Sequence, residues 1–81
     1  MAKRRRVWFT KHALRDAMPK RGISVSDVFR TLDAPDYEFP GNQPNTVESY
    51  GRTADGRAFY VVTGRSRSLV ITAIPLKEEP K

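Results

Sequence analysis

The 81 residues carry 15 Lys and Arg against 9 Asp and Glu, a net charge of +6, with one histidine and no cysteine. That length excludes a second domain of ordinary size, and a chain so short buries only ~60–65% of its unfolded surface, with no disulfide or thiolate metal site to supplement its core. No apolar run approaches the ~18 residues of a membrane span, and the basic start leads into no apolar segment, so neither a signal peptide nor an anchor is expected.

In chain order, residues 1–6 form a basic arm, and Val7-Trp8-Phe9 is a short first strand or an anchor, with Trp8 expected in the core. Thr10 is placed to cap a helix over Lys11–Met18, whose apolar stripe is Ala13, Leu14, Ala17 and Met18. Pro19 is expected to stop that helix, because the residue before a proline avoids the α region. Gly22 then suits a left-handed turn. Ser24 and Asp27 make a Ser-x-x-Asp capping box for a second helix, with Val25, Val28, Phe29 and Leu32 at helical spacing and Pro35 at its end. Residues 34–46 are a loop with Tyr37-Glu38-Phe39 as an edge strand. Three strands follow, at 46–53, 57–63 and 68–74. The last two are apolar on both parities and are expected to be covered on both sides. The expectation is one α+β domain over 1–81, two helices on one face of an antiparallel sheet of three to five strands, with a tail at 77–81.

The charge is uneven: residues 1–30 carry +7, 31–50 carry −4 and 51–75 carry +3. If the two basic regions meet they form a patch of the kind that meets phosphate; a solvated surface is the plainer reading. Ten of the 15 basic residues are Arg, which favours bidentate phosphate or carboxylate contacts. Lys11 and Arg15, one helical turn apart, can clamp a phosphate. Arg21 beside Gly22 is a helix-capping group or a ligand. Arg65 and Arg67 fall at a loop tip, and Tyr50 and Tyr60 either stack a base or half-fill a sheet. The carboxylates at 16, 27, 33, 36, 38, 48 and 55 show no metal-ligand spacing, and no glycine-rich phosphate loop or nucleophile elbow is present, so neither metal nor cofactor is expected. His12, in the first helical turn, is expected to be neutral near pH 7 and available as a base, or else simply solvated.

His12-Ala13, Arg15, Arg21-Gly22-Ile23-Ser24, Asp27-Val28, Asp55-Gly56-Arg57, Val61-Val62 and Val70-Ile71-Thr72-Ala73 follow one another as in a widespread bacterial family of small domains of unknown function. The chain resembles that family from about Thr10 to Ile74, and the family in turn resembles the RelE and BrnT toxins, antitoxin-controlled ribonucleases. Pro19 and the non-aromatic Ile74 depart from the pattern. The resemblance implies a RelE/BrnT-like cytoplasmic domain that cleaves RNA without metal and is held by an acidic antitoxin protein. The alternative is a non-catalytic RNA-binding or protein-interaction module on the same fold.

Cleavage through the 2′-hydroxyl needs a base, cations for the phosphorane and an acid. His12 or Glu48 suits the base, Arg52 and Arg57 the cations, and Tyr50 or Lys11 the acid. Whether they meet depends on hairpin register. With Asp55-Gly56 as a two-residue turn, Ala54 faces Arg57, and Glu48, Tyr50, Arg52 and Arg57 share one face opposite the helices. With a three-residue Ala54-Asp55-Gly56 loop, Thr53 faces Arg57 and Arg57 changes sides. Asp-Gly favours the first register.

Overall fold

The computed structural model describes residues 7–76; the basic arm at 1–6 and the tail at 77–81 lie outside the described residues. Strand β1 is Trp8–Phe9. Helix α1 runs over 12–21, in π geometry through His12–Ala17 and in α geometry through Met18–Arg21. Helix α2 is Val25–Asp33, and β2 to β5 are Tyr37–Pro40, Thr46–Arg52, Ala58–Gly64 and Leu69–Pro75. The five strands lie in the order β1-β5-β4-β3-β2. All neighbours are antiparallel except β1 and β5, which pair in parallel, so the sheet is mixed. None of the described helices is long and apolar enough to cross a membrane.

Both helices cover one face. Ala13, Met18, Ile23, Val28 and Leu32 from the helical half meet Phe59, Val61, Val70 and Ala73 of β4 and β5, all at most 4% exposed. Burying a side chain such as Leu32 or Phe59 contributes roughly 1.5–3 kcal/mol. Thr10 caps α1 as expected: its Oγ1 accepts from the Ala13 N–H (3.1 Å) and donates to the Ile71 carbonyl (2.9 Å). Pro19 does not end the helix, which continues to Arg21. The Met18 N–H bonds the Ala13 carbonyl, five residues back. This wider turn relieves the clash a proline ring makes with the preceding turn of an α-helix. Gly22, at φ +69°, ends it, and the Ile23 N–H returns to Met18 (3.0 Å).

The capping box of α2 forms in both directions, Asp27 N–H to Ser24 Oγ at 3.0 Å and Ser24 N–H to Asp27 Oδ2 at 3.1 Å. The Asp27 carboxylate, only 4% exposed as a residue, also accepts from Arg30 (2.6 Å) and from the Ala54 N–H in the β3–β4 turn (3.0 Å). Burial alone would raise its pKa, but these hydrogen bonds outweigh burial and hold it below the usual carboxylate value.

The β3–β4 hairpin takes the three-residue register. Thr53 N–H bonds Arg57 O (2.8 Å), Gly56 sits at φ +90°, and Arg52 pairs with Ala58, Tyr50 with Tyr60. The turn is held from within and from α2. Thr53 Oγ1 accepts from the Arg57 N–H (3.0 Å) and donates to Asp55, while Asp27 takes the Ala54 N–H. Those contacts override the Asp-Gly preference for a two-residue turn. Arg57 therefore leaves the face of Glu48, Tyr50 and Arg52 and turns toward the helices. Its Nη2 donates to Gly22 O (3.0 Å) and its Nη1 to Arg21 O (3.3 Å), closing the C-terminus of α1.

Between Val62 and Thr63 the β4–β5 register shifts by one, so Ile71 drops out of the pairing and its carbonyl meets Thr10. β4 and β5 are covered on one side only, in contrast to the two-sided burial expected of them: β4 alternates buried and half-buried residues along its length. Aromatic neighbours, rather than a second layer, shelter its other face. Trp8 is not core but 61% exposed, since Phe9, its neighbour in a two-residue strand, takes the inward position against Phe29.

Candidate functional site

Side chains alternate along strands, so the uncovered face is built from every second residue of β2 to β5. Tyr37 pairs with Tyr50, Tyr50 with Tyr60, and Tyr60 with Ile74; beside this row run Phe39, Glu48, Val62 and Thr72. The rings form a continuous file. Tyr37 and Phe39 stack at 6.2 Å between centroids, Phe39 meets Tyr50 edge-on at 5.6 Å, and Tyr50 stacks on Tyr60 at 4.9 Å. Tyr37 and Phe39 are 65% and 51% exposed, large for aromatic side chains on a sheet.

Within the file, Tyr50 donates its hydroxyl to Glu48 Oε1 at 3.0 Å. Burial, then the hydrogen bond to Glu48 and the negative charge nearby, push the phenol above its ordinary pKa, so it remains a donor at neutral pH. Arg52 follows on the same face and reaches the Gly56 carbonyl with Nη1 (3.2 Å). A carboxylate, a protonated phenol and a guanidinium thus sit at alternate positions of one strand.

The remaining expected site residues lie elsewhere. His12 stands at the exposed start of α1, 3.9 Å from Asp16, on the helical side of the sheet and so across it from Glu48 and Tyr50. Lys11 and Arg15 are exposed on the same helix. Arg21 is a tether, donating from Nη1 to Ala73 O at 2.8 Å. Arg65 is exposed in the β4–β5 turn, but Arg67, at φ +65°, folds inward. Its Nη2 donates to Leu32 O at the end of α2 (2.6 Å), and its Nε lies 2.6 Å from Glu38 Oε2, out of line with the N–H, as an ion pair rather than an aligned hydrogen bond. Glu38 also accepts from Ser49 (3.0 Å). Tyr37 and Phe39 belong to the site although neither stood out by residue type; their spacing of two on an edge strand is the signal that finds them.

Among the described residues no group of three or more His, Asp or Glu side chains is disposed to hold a metal ion. No family model, curated protein or solved structure matches the chain.

Proposed function

We propose that the protein binds single-stranded RNA across the open face of its sheet, with bases stacking on Tyr37, Phe39, Tyr50 and Tyr60 and Arg52 meeting a phosphate. The observation that carries this reading is the aromatic file, exposed at Tyr37 and Phe39 and half-buried at Tyr50 and Tyr60, on a face that no described helix covers. Each base stacked on an aromatic ring contributes ~1–3 kcal/mol with little regard to sequence. The net charge of +6 supplies long-range attraction to the phosphate backbone. In this reading the protein acts in the cytoplasm. Anisotropy with a labelled RNA oligomer tests it: binding weakens steeply with salt, and Tyr60→Ala loses roughly tenfold in affinity. Equal affinity for the variant and the parent sinks the stacking role.

The Glu48–Tyr50 contact favours a second reading on the same face, metal-independent cleavage by a RelE/BrnT-like toxin whose basic surface an acidic antitoxin covers. Glu48 takes the 2′-hydroxyl proton as that oxygen attacks phosphorus, and Arg52 offsets the phosphorane charge. The bond to the 5′-oxygen breaks as Tyr50 protonates it, leaving a 2′,3′-cyclic phosphate. The proton on Glu48 returns to Tyr50 through their hydrogen bond. The arrangement of two helices on one side of a five-stranded sheet supports such a fold. RNA end-mapping separates the two readings. Cleavage yields cyclic-phosphate ends that disappear in Tyr50→Phe while RNA binding persists; intact RNA leaves binding alone.

A further inference from the structure

Behind the aromatic file, between α2 and the end of β3, opens a groove of about 420 Å³ lined by Arg30, Thr31, Asp36, Gly51 and Arg52 among others. Gly51 makes this approach possible. A Cβ there would overlap Thr31 Oγ1, with Thr31 Cγ2 and Cβ at 2.9 and 3.0 Å. The groove lies on the helix-covered side of the sheet and is joined to the aromatic file through the start of the edge strand β2, where the Asp36 N–H bonds the carbonyl of Tyr50 (2.8 Å) and Asp36 precedes Tyr37.

Its chemistry is mixed. Arg30, whose side chain is 51% exposed, engages Asp27 and the Arg52 carbonyl through Nη2 alone, and no partner of its Nε or Nη1 occurs among the described residues. Asp36 is exposed, and its carboxylate makes no hydrogen bond or ion pair to a described residue. A cation and a carboxylate in one groove, beside the carbonyl end of α2, suit a phosphate poorly. They suit a ligand edge that carries donors and acceptors together, and the volume is in the range of a small-molecule site. Among the four bases only guanine offers two adjacent donors, N1–H and the N2 amino group, beside the acceptors O6 and N7. Arginine pairs with O6 and N7, and a carboxylate pairs with the two donors.

We propose that this groove is a guanine subsite, Asp36 accepting from N1–H and N2 and Arg30 donating to the acceptor edge. The proposal rests on the RNA-binding reading. An RNA strand stacked on Tyr37 reaches the groove by rounding the sheet edge at Asp36, with its next base splayed out.

Two measurements test it. In anisotropy, an oligouridylate carrying one central G binds about tenfold tighter than the same oligomer with A, C or U at that position. Asp36→Asn brings the G oligomer to within twofold of the others, and Arg30→Lys, which keeps a cation beside Asp27, reduces the same preference. Tyr37→Ala weakens all four oligomers alike. In NMR titrations, GMP but not AMP shifts the amides of Gly51, Thr53 and Ala54, which reads the groove independently of the aromatic file. GMP shifts with no oligomer binding would indict the file and leave the groove standing. A G preference untouched by Asp36→Asn overturns the guanine subsite, as do equal shifts from GMP and AMP or a gain from a terminal phosphate whatever the base.

Discussion

On the helix-covered side of the sheet, arginines close the structure; on the open side, aromatic rings face solvent. Arg21 ties α1 to β5, Arg30 joins Asp27 to the Arg52 carbonyl, and Arg57 and Arg67 each reach from a different hairpin to the last carbonyls of a different helix. The open face holds Tyr37, Phe39, Tyr50 and Tyr60 with Arg52 as its one arginine among the described residues. In a small chain without disulfides, helix ends need partners that a thin core does not provide. Among the described residues, Arg21, Arg30, Arg52, Arg57 and Arg67 are therefore bonded to backbone carbonyls or carboxylates. Net charge alone does not mark a free basic patch: the arginines that it counts are spent, in good part, on holding helix ends and strands together.

The largest effect expected on the covered side is at Asp27, where one carboxylate binds the α2 N-terminus, Arg30 and the hairpin turn. Asp27→Asn should cost about 3 kcal/mol at pH 7, since it leaves Arg30 and the Ala54 N–H with a weaker acceptor. The folded pKa of Asp27 lies below its ordinary 3.8. Its contribution is therefore complete above that value and is lost as pH falls through the folded pKa. Urea melts of parent and variant should differ most at neutral pH and converge as pH falls below the folded pKa. A constant gap across that range would show that the charge of Asp27 is not what stabilises the turn.

Local signals were legible in the sequence where the physics is local. Thr10, Ser24 and Asp27 announce helix starts because capping acts within three residues, and the edge strand at Tyr37 shows in its aromatic spacing. The hairpin register was not legible from Asp-Gly alone: Thr53 and Asp55 hold the longer loop from within, and Asp27 and the end of α1 bind it from 27 and 35 residues away or more. Pro19 misled for a related reason: a wide turn upstream absorbs its ring, and no residue type marks that turn. Trp8 misled because its large apolar area suggests burial, whereas a two-residue strand has only one inward position and Phe9 occupies it. Of the expected catalytic group, Glu48, Tyr50 and Arg52 share a face since one strand carries all three. His12 and Arg57 depend on packing between elements and lie on the other side.

A smaller effect is expected at Arg57, the residue whose face the register changed. Arg57→Gln removes a cation from the C-terminus of α1 and should lower stability by about 1 kcal/mol. RNA affinity should stay within twofold of the parent, because the guanidinium points away from the aromatic file. Thermal melting and anisotropy on the same preparation check both halves. A tenfold loss of RNA affinity with an unchanged melting temperature would put Arg57 back in the binding surface and erase the division between the two faces.

The smallest effect on stability is expected where exposure is greatest. Tyr37 is 65% exposed and its ring stacks on Phe39, itself 51% exposed. Tyr37→Ala removes little buried area, and substitutions at such positions usually stay within about ±0.5 kcal/mol. Its ring nevertheless extends the Tyr50–Tyr60 stack to the sheet edge, so RNA affinity should fall by roughly five- to tenfold, the loss of about one stacked base. A fold that tolerates the change while RNA binding does not separates a surface kept for a ligand from one kept for packing. If instead the variant melts several degrees lower and binds RNA as the parent does, the aromatic file is shielding the sheet rather than presenting it. The open face would then belong with the covered one as a stabilising surface.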